Sequence, residues 1–306
     1  MRILVTGGAG FIGSHIVEAY LAEGHEVRVI DNLATGRRAN VPREAKLHEV
    51  DIHAREVESI FEEFRPEVVN HLAAQASVKV GNADPVFDLE VNGGGTARIA
   101  KLAADHGARK LIYASSGGTV YGDPQALPVT ESHPIAPVSN YGTSKFTGEL
   151  YVELTGRARG LDYTIMRYGN AYGPRQDPHG EAGVVAIFTG LMLNGEPCTI
   201  DGDGEQKKDY IYVGDMARAN ILALDRGSGG TYNVGTGEGI TVNHIWKTLS
   251  TAIGNEIEAV YGPPRPGDVR NFWLDCSKAR AELGWEPQVS FEEGVRRSVD
   301  YMRTPG

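Results

Sequence analysis

The first residues of the chain constrain its fold more than any other segment. Residues 2–6 form an apolar run typical of a buried strand, and glycines follow at positions 7, 10 and 13. Apolar residues then recur at helical spacing from Ile12 to Leu21, and Gly24 follows as a helix stop. A strand, a glycine turn and a helix in this order are the context that a dinucleotide-binding loop requires.

The glycine turn predicts which residues contact such a ligand. Gly7 permits the tight turn, Gly10 lets the backbone approach a pyrophosphate, and Gly13 allows the helix to pack closely on the strand. The first helical turn, with Phe11 and Ile12, offers unpaired N–H groups to the phosphates. A glycine turn that binds no ligand is the alternative at this point.

The ends of the following strands carry further candidates for cofactor binding. Asp31 ends the second strand, where its carboxylate can accept hydrogen bonds from the adenosine ribose and would repel a 2′-phosphate, which favours NAD over NADP. Arg37 and Arg38 could weaken that repulsion, but they are more simply interpreted as solvated loop charges. After the third and fourth strands we predict contacts from Asp51 and Ile52 beside the adenine, and from Leu72, Ala73, Ala74 and Gln75 along the cofactor. His71 is expected to be packed at a strand end.

A second pattern concerns proton transfer. Tyr141 and Lys145 are four residues apart, so they share one face of a helix. A phenol ordinarily ionises near pH ~10, and a cation one turn away lowers that pKa. The pair therefore predicts that Tyr141 is a general base acting on an alcohol. If this pair is considered alone, the alternative is that Tyr141 and Lys145 share a helix surface by chance.

Charge and cysteine content limit the classes of partner. The chain has 30 Lys and Arg against 40 Asp and Glu, a net charge of −10, which argues against nucleic acids and anionic membranes as partners. Cys198 and Cys276 are far apart, so reduced thiols are expected. No secretory or transmembrane segment is recognisable, and we predict a cytoplasmic protein. Asp201 and Asp203 lack the further carboxylates of a calcium loop, so we predict a turn there and no metal site.

The alternation of elements predicts an α/β protein with a doubly wound parallel (Rossmann-type) sheet and a smaller discontinuous substrate-binding lobe. Strands are predicted near 2–6, 27–31, 47–50, 68–72, 110–114 and 163–167. The cofactor domain is predicted over 1–170, with returning segments near 207–236, and the substrate lobe over 171–206 and 237–306. Within that lobe we expect a helix over about 181–194 and a terminal helix opened by Ser290.

Several motifs together resemble one family. They are Gly7 to Gly13, Asp31-Asn32, His71 to Ala74, Ser115 to Gly122, Tyr141 to Lys145, Arg167 to Asn170, Tyr172 to Arg175, Asp209 to Val213, Tyr232 to Gly235 and Arg265 to Asp268. They span nearly the whole chain in the order found in UDP-glucose 4-epimerases and their nucleotide-sugar relatives, which are extended short-chain dehydrogenase/reductases. The chain is similar to this family.

The resemblance implies a reaction. A tyrosine removes the proton of the sugar 4-hydroxyl while the C4 hydride passes to tightly held NAD, and the hydride returns to the opposite face of the rotated keto sugar. Tyr141 would be the base, and Lys145 would lower its pKa and bind the nicotinamide ribose. Ser116 would hydrogen-bond the reacting oxygen, with Ser115 in reserve. The family implies a UDP-sugar substrate and a homodimer.

The resemblance also implies further contacts. They are Asn32, Asn92 and Tyr168 for the cofactor, and Ser77, Asn170, Thr199 with Ile200, Lys208, Arg265, Asp268 and Phe272 for the substrate. Lys208 stands where the family usually has an arginine, so a bidentate phosphate contact is lost. Phe272 would exclude N-acetylated sugars, unless it serves only in packing.

Related dehydratases need an Asp-Glu pair where this chain has Gly117 and Gly118, so we predict epimerisation and not elimination of water. The alternatives are epimerisation of another nucleotide sugar, such as a UDP-N-acetylhexosamine, UDP-pentose or UDP-uronate, and a non-catalytic NAD-binding regulator.

Overall fold

The computed structural model describes residues 1–179, 183–255, 257–264 and 269–304. Its strands are β1 (Arg2–Thr6), β2 (Glu26–Asp31), β3 (Lys46–Glu49), β4 (Val68–His71), β5 (Lys110–Ser116), β6 (Asp162–Tyr168), β7 (Asn170–Tyr172), β8 (Cys198–Asp201), β9 (Lys207–Lys208), β10 (Tyr210–Tyr212), β11 (Gly230–Val234), β12 (Ile240–Thr241), β13 (Ala259–Gly262) and β14 (Asn271–Phe272). Seven of them form one sheet in the order β11-β6-β5-β4-β1-β2-β3. Every neighbouring pair in it is parallel, which confirms the predicted doubly wound sheet.

The helices are α1 (Phe11–Ala22), α2 (Glu56–Phe64), α3 (Val78–Ala83), α4 (Pro85–Leu89), α5 (Gly95–Asp105), α6 (Gly117–Val120), α7 (Asn140–Arg159), α8 (Val184–Leu193), α9 (Val213–Ala223), α10 (Val242–Ile253) and α11 (Phe291–Arg303). Ile3 and Val5 pack with α1 and α9, whereas Leu4 packs with α2, α5 and α7. Since successive strand residues point to opposite faces, helices on both faces explain why β1 is apolar throughout.

Two strands of the segment predicted to return to the cofactor domain, β10 and β11, belong to different sheets. β11 joins the edge of the main sheet beside β6, as expected for Tyr232 to Val234. β10 instead pairs with β7 in a separate two-stranded sheet, so the chain around Tyr210 lies next to Asn170 and not in the main sheet. This pairing brings the end of β6 close to the second lobe.

The second lobe has its own apolar cluster, built from α8, α10 and α11 with Tyr172 and Tyr212. The helix predicted over 181–194 is described from Val184 to Leu193, and positions 181 and 182 lie outside the described residues. The Ser290 hydroxyl accepts a hydrogen bond from the Glu293 amide, so the predicted start of the terminal helix is confirmed. Within the described ranges, no helix combines the length and apolar character needed to span a membrane.

Candidate active site

The glycine turn between β1 and α1 forms a close-packed cradle. Gly7 has a φ of +72°, and a Cβ placed on it would lie 2.7 Å from the amide nitrogen of Ala73. A Cβ on Gly13 would lie 2.1 Å from the Gly7 carbonyl oxygen. Helix α1 lies wholly within the described residues; no side chain caps its N-terminus, and its first turn contains no acidic residue. The N–H groups of Phe11 and Ile12 are therefore open to an anion, and the cradle fits a pyrophosphate.

The Asp31 carboxylate is hydrogen-bonded to two backbone N–H groups, one in the glycine turn and one in the loop after β2. Its carboxylate accepts hydrogen bonds from Ala9 N at 2.9 Å and Leu33 N at 2.8 Å. The side chain thereby holds the glycine turn and remains 8% exposed at the carboxyl edge of the sheet. Both carboxylate oxygens keep lone pairs for ribose hydroxyls, since each oxygen can accept more than one hydrogen bond.

The expected adenine end lies beside this carboxylate. Asn32 donates to Asp51 at 2.8 Å, and Asp51 also accepts the His53 amide at 2.9 Å. Asp51 is exposed, whereas Ile52 is 6% exposed and belongs to the apolar cluster of α2 and α5. The Asp51 carboxylate is therefore available to a ligand, and Ile52 anchors the same loop to the apolar core.

His71 is buried at the end of β4. Its Nδ1 lies 2.6 Å from the Thr6 hydroxyl and its Nε2 lies 3.0 Å from the Thr96 hydroxyl. Burial lowers the pKa of His71 to about 3, so the ring is neutral near pH 7. Thr96 donates its own proton to the Asn92 carbonyl, which leaves Nε2 of His71 as a donor. His71 is thus the packed histidine that the sequence predicts.

Asn92 holds the cofactor loop against α7. Its Oδ1 accepts from Gln75 N at 2.9 Å, and its Nδ2 donates to Gln75 O and to the Ser144 hydroxyl, both at 3.0 Å. Asn92 lies in a π-helical turn, Glu90–Gly94, a feature frequent at functional sites. These bonds show that Asn92 supports the loop expected at the cofactor, and its own contact with the cofactor stays a prediction.

Asp88, which sequence reasoning missed, lies behind this loop. It is fully buried, and its carboxylate accepts from the Gln75 side chain at 2.5 Å. Its charge raises the pKa values of both Tyr141 and Lys145. An aspartate four residues before Asn92 is the only sequence signal for this position.

The ends of β5 and α7 bring the predicted catalytic residues together. Tyr141 is partly exposed, and the Ser116 side chain lies close enough to its phenol to lower the pKa of that phenol. Ser115 points to the other face of β5, where its hydroxyl donates to Glu149 at 2.5 Å and is almost fully buried. Strand alternation therefore separates the two serines, and only Ser116 adjoins the phenol.

Lys145 is buried directly beneath Tyr141. Its ammonium lies 4.5 Å from the ring centroid of Tyr113. Burial lowers the pKa of Lys145 to about 7, against the opposing effect of the Glu149 and Asp88 carboxylates. Burial likewise raises the pKa of Tyr141 to about 12, which the Ser116 hydrogen bond partly offsets. Desolvation therefore disfavours the charged forms of both residues in this structure. The lowering of the Tyr141 pKa by a neighbouring ammonium together with a bound positive ring stays a prediction.

A buried ion pair fixes α7 to the sheet. Arg167 binds Glu149 through Nε at 3.0 Å and Nη2 at 2.6 Å, and donates from Nη1 to the Tyr121 hydroxyl at 2.9 Å. Sequence analysis missed this pair, because a glutamate on a helix and an arginine in a later strand share no local pattern. The pair leaves Ser115 and Lys145 in defined positions beside Glu149.

Asn170 and Lys208 lie on the side of the site that faces the second lobe. Asn170 is partly exposed, and its Oδ1 lies 3.8 Å from the position of a Cβ on Gly118. The ammonium of Lys208 donates to the Val269 carbonyl. Lys208 is also paired in register with Phe272, whose ring is 2% exposed and stacks on Tyr121 with centroids 6.4 Å apart. Phe272 is therefore buried behind the surface of the candidate site.

The remaining predicted contacts are placed as follows. Thr199 is exposed on β8, and Ile200 beside it is buried. Ser77 caps α3 by accepting from Val80 N at 2.9 Å. Tyr168 packs in the core and accepts from Asn220 at 2.7 Å, so only its main chain can meet a cofactor. Arg265 and Asp268 lie outside the described residues.

Asp209 connects β7 with the segments that follow β11 and β14, a role that the sequence analysis did not predict. The buried carboxylate accepts from Thr236 N at 2.7 Å, Thr236 Oγ1 at 2.8 Å and Leu274 N at 3.2 Å. Its carbonyl accepts from Asn170 N at 2.8 Å. Asp209 thereby sets the relative positions of Asn170, its neighbour Lys208 and the strand of Phe272.

The Asp-Gly-Asp-Gly segment forms a turn. Asp203 accepts from Glu205 N at 3.0 Å and pairs with Arg270 at 2.7 Å. Gly202 and Gly204 both have positive φ. Over the described part of the chain, no group of three or more His, Cys, Asp or Glu residues could hold a metal ion.

Comparisons with known proteins identify the family of this chain. A model of the NAD dependent epimerase/dehydratase family matches residues 3–235. The chain is 44% identical over 301 residues to a putative UDP-glucose 4-epimerase of Methanocaldococcus jannaschii, with 98% of each chain covered. It is also similar to crystal structures of UDP-glucose 4-epimerases from Thermotoga maritima with UDP-glucose (48% identity, TM-score 0.97) and from Thermus thermophilus with NAD (50% identity, TM-score 0.94), with 99% of each chain covered. The chain therefore belongs to the NAD dependent epimerase/dehydratase family.

Proposed function

We propose that this protein interconverts UDP-galactose and UDP-glucose by reversible epimerisation at C4, using tightly bound NAD. The observation that carries the proposal is that the ends of β5 and α7 bring Ser116, Tyr141 and the buried Lys145 together. All three lie at the carboxyl edge of the sheet that also holds the glycine turn, the usual place for ligands in such folds. The full-length similarity to UDP-glucose 4-epimerases supports the same reaction.

The chain's own residues fit NAD. The open N–H groups of Phe11 and Ile12 would hold its pyrophosphate, Asp31 the adenosine ribose, and Lys145 the nicotinamide ribose. When bound, NAD⁺ would supply a reversible hydride acceptor for the sugar carbon and a positively charged ring. That charge favours the phenolate of Tyr141, whose pKa burial otherwise raises to about 12.

Proton transfer is assigned to Tyr141. As the phenolate it takes the proton of the sugar 4-hydroxyl, and as the phenol it returns the proton after the sugar has turned. Ser116 donates a hydrogen bond to the same sugar oxygen and stabilises the charge that develops there. Lys145 supports the phenolate when its ammonium is charged. The same groups serve both directions, as a reversible reaction requires.

Elimination of water is disfavoured by the residues that follow Ser116. A Cβ on Gly117 would lie 3.0 Å from the Leu274 side chain and 3.1 Å from the Arg167 carbonyl oxygen. Neither Gly117 nor Gly118 can move a proton, and a larger side chain at Gly117 would displace its neighbours. This supports epimerisation over dehydration.

The preferred sugar is proposed to lack an N-acetyl group. Phe272 fills the wall behind the expected sugar site and is held by Tyr121. A ring packed on both sides resists displacement, because close-packed interiors leave little free volume. We expect poor turnover of UDP-N-acetylglucosamine relative to UDP-glucose, and comparable kcat/KM on both would contradict this role. Binding of the uridine diphosphate is assigned to Asn170, Thr199, Lys208, Arg265 and Asp268.

We also propose that the protein is a cytoplasmic homodimer. α4 and α7 expose apolar side chains, namely Val86 (65% exposed), Phe87 (46%), Leu89 (48%), Leu150 (47%) and Leu154 (51%). Exposed apolar side chains grouped on adjacent elements are typical of a subunit contact. Leu150→Glu with Leu154→Glu should give a monomer by light scattering, and an unchanged mass would contradict this interface.

The decisive experiment combines cofactor content with product identification. The purified protein should contain NAD and convert UDP-galactose to UDP-glucose, while Tyr141→Phe should keep NAD and lose conversion. A panel of sugar nucleotides with product analysis separates this reaction from epimerisation of UDP-pentoses or UDP-uronates. Bound NAD without turnover of any nucleotide sugar would instead favour a non-catalytic regulator.

A further inference from the structure

Residues 173–177 cross from the second lobe onto the cofactor helix α1. Arg175 donates from Nη1 to the Ser14 hydroxyl at 3.1 Å and forms an ion pair with Glu18. Ser14 in turn donates to the carbonyl of Phe11 at 3.0 Å. A single hydroxyl therefore connects Arg175 to the turn whose N–H groups face the pyrophosphate.

The same segment makes two further contacts around the glycine turn. The Pro174 carbonyl is hydrogen-bonded to His15 Nε2 at 2.9 Å, and Asp177 pairs with Arg37 at 3.1 Å. Arg37 also donates its backbone N–H to the Ala9 carbonyl, inside the glycine turn, at 2.9 Å. The segment thus joins α1 on one side of the turn to the loop after β2 on the other.

Arg175 holds an unusual backbone conformation. Its φ is +69°, in the left-handed region that non-glycine residues seldom adopt. Such residues persist where the surroundings over-determine them, and they cluster at ligand clamps and active sites. The bonds to Ser14 and Glu18 are the contacts that hold Arg175 in place.

The segment is also anchored on the side of the substrate lobe. Gln176 donates to the Ala171 carbonyl in β7 at 3.1 Å. The Cβ of Pro178 lies 3.1 Å from the position of a Cβ on Gly190 of α8. Opening the segment would therefore break contacts at both ends.

We propose that residues 173–177 form a clasp that retains bound NAD, and that Arg175 is its principal positioning residue. This rests on the NAD-dependent reaction proposed above, since a cofactor that is reduced and reoxidised on one sugar must not exchange between the two hydride transfers. The clasp bridges the two elements on either side of the pyrophosphate turn, so NAD leaves only after these contacts open.

The test is the rate at which the holoenzyme loses NAD. Arg175→Ala should lose NAD about 10- to 100-fold faster than the wild type, the factor expected for loss of a hydrogen bond to a charged group. Bound NAD is measured by its release into filtrate after dilution, with no sugar nucleotide present. Activity lost on dilution should return when NAD is added.

Arg65→Ala is the matched control. Arg65 is an exposed arginine that also has a positive φ, +47°, but it ends α2 and has no contact with the clasp. It should match the wild type in NAD release. Equal release rates for the Arg175→Ala, Arg65→Ala and wild-type proteins would overturn the proposal.

A second pair of variants covers the case in which Arg175→Ala does not fold. Arg37→Ala and Asp177→Ala remove only an exposed contact, and each should accelerate NAD release, whereas unchanged release from both would overturn the proposal. Because the readout is NAD loss without sugar, failure of C4 epimerisation with slow NAD release would contradict the proposed function and leave the clasp supported.

Discussion

Replacing Ser116 or Ser115 with alanine gives the sharpest test of the site. The two residues are adjacent and chemically identical, yet the structure gives them different partners. Ser116 lies beside the Tyr141 phenol, and Ser115 donates to the buried Glu149 carboxylate at 2.5 Å. The pair therefore provides a matched comparison within one strand.

The magnitudes follow from these partners. Ser116→Ala removes a donor to the sugar oxygen in the transition state, which costs about 10²- to 10³-fold in kcat, or about 3–4 kcal/mol. Ser115→Ala leaves Glu149 bound to Arg167 at 3.0 and 2.6 Å. It removes one hydrogen bond to a charged group, about 1.5–3 kcal/mol of folding stability, with a much smaller loss of kcat.

The assay is UDP-galactose turnover by each variant at saturating substrate, alongside the urea midpoint of unfolding. We expect the large loss of kcat in Ser116→Ala and the larger loss of stability in Ser115→Ala. If Ser115→Ala loses more kcat than Ser116→Ala, the assignment of the hydroxyl is wrong, and the assigned position of the sugar 4-hydroxyl must change with it.

Three further outcomes are expected. Tyr141→Phe should lower kcat at least about 10²-fold with unchanged NAD content. Wild-type kcat/KM should rise with pH as the phenol, whose pKa is raised by burial and lowered by the positive ring of bound NAD⁺, becomes the phenolate; a flat wild-type profile would argue against a phenolate base. Arg167→Ala should cost about 3–5 kcal/mol in chemical unfolding by leaving Glu149 buried without its ion-pair partner. Arg296→Ala, which breaks only exposed pairs with Glu293 and Asp300, should cost at most about 1 kcal/mol; similar losses would refute the buried-pair argument. Asp31→Ser should raise the affinity for NADP relative to NAD in binding titrations, and an unchanged ratio would contradict repulsion of a 2′-phosphate.

Much of the fold was predictable because its signals are local. The apolar run of β1, the glycine turn and the apolar period of α1 are contiguous, and each depends on residues a few positions apart. The same holds for Ser290 at the start of α11. The position of β10 was not predictable, because its pairing with β7 depends on contacts between segments distant in sequence.

The candidate site divides in the same way. Tyr141 and Lys145 share a face because of helix geometry, and that conclusion needs no tertiary information. Their ionisation does need tertiary information, because burial lowers the pKa of Lys145 and raises that of Tyr141, and helix spacing does not show burial. Asp88 contributes a buried charge from a separate helix, and its spacing of four residues from Asn92 is the only local signal for it.

By itself, the sequence determined the α/β class, the glycine turn for a cofactor and the tyrosine–lysine pair, and Asp31 led to the prediction of NAD over NADP. These conclusions follow from short-range backbone geometry and residue chemistry. Only the tertiary structure decided that Ser116 and not Ser115 adjoins the phenol, that Asn92 supports a loop, and that Arg175 reaches α1. Those contacts depend on which faces of distant elements meet, and that is set by the packing of the whole chain.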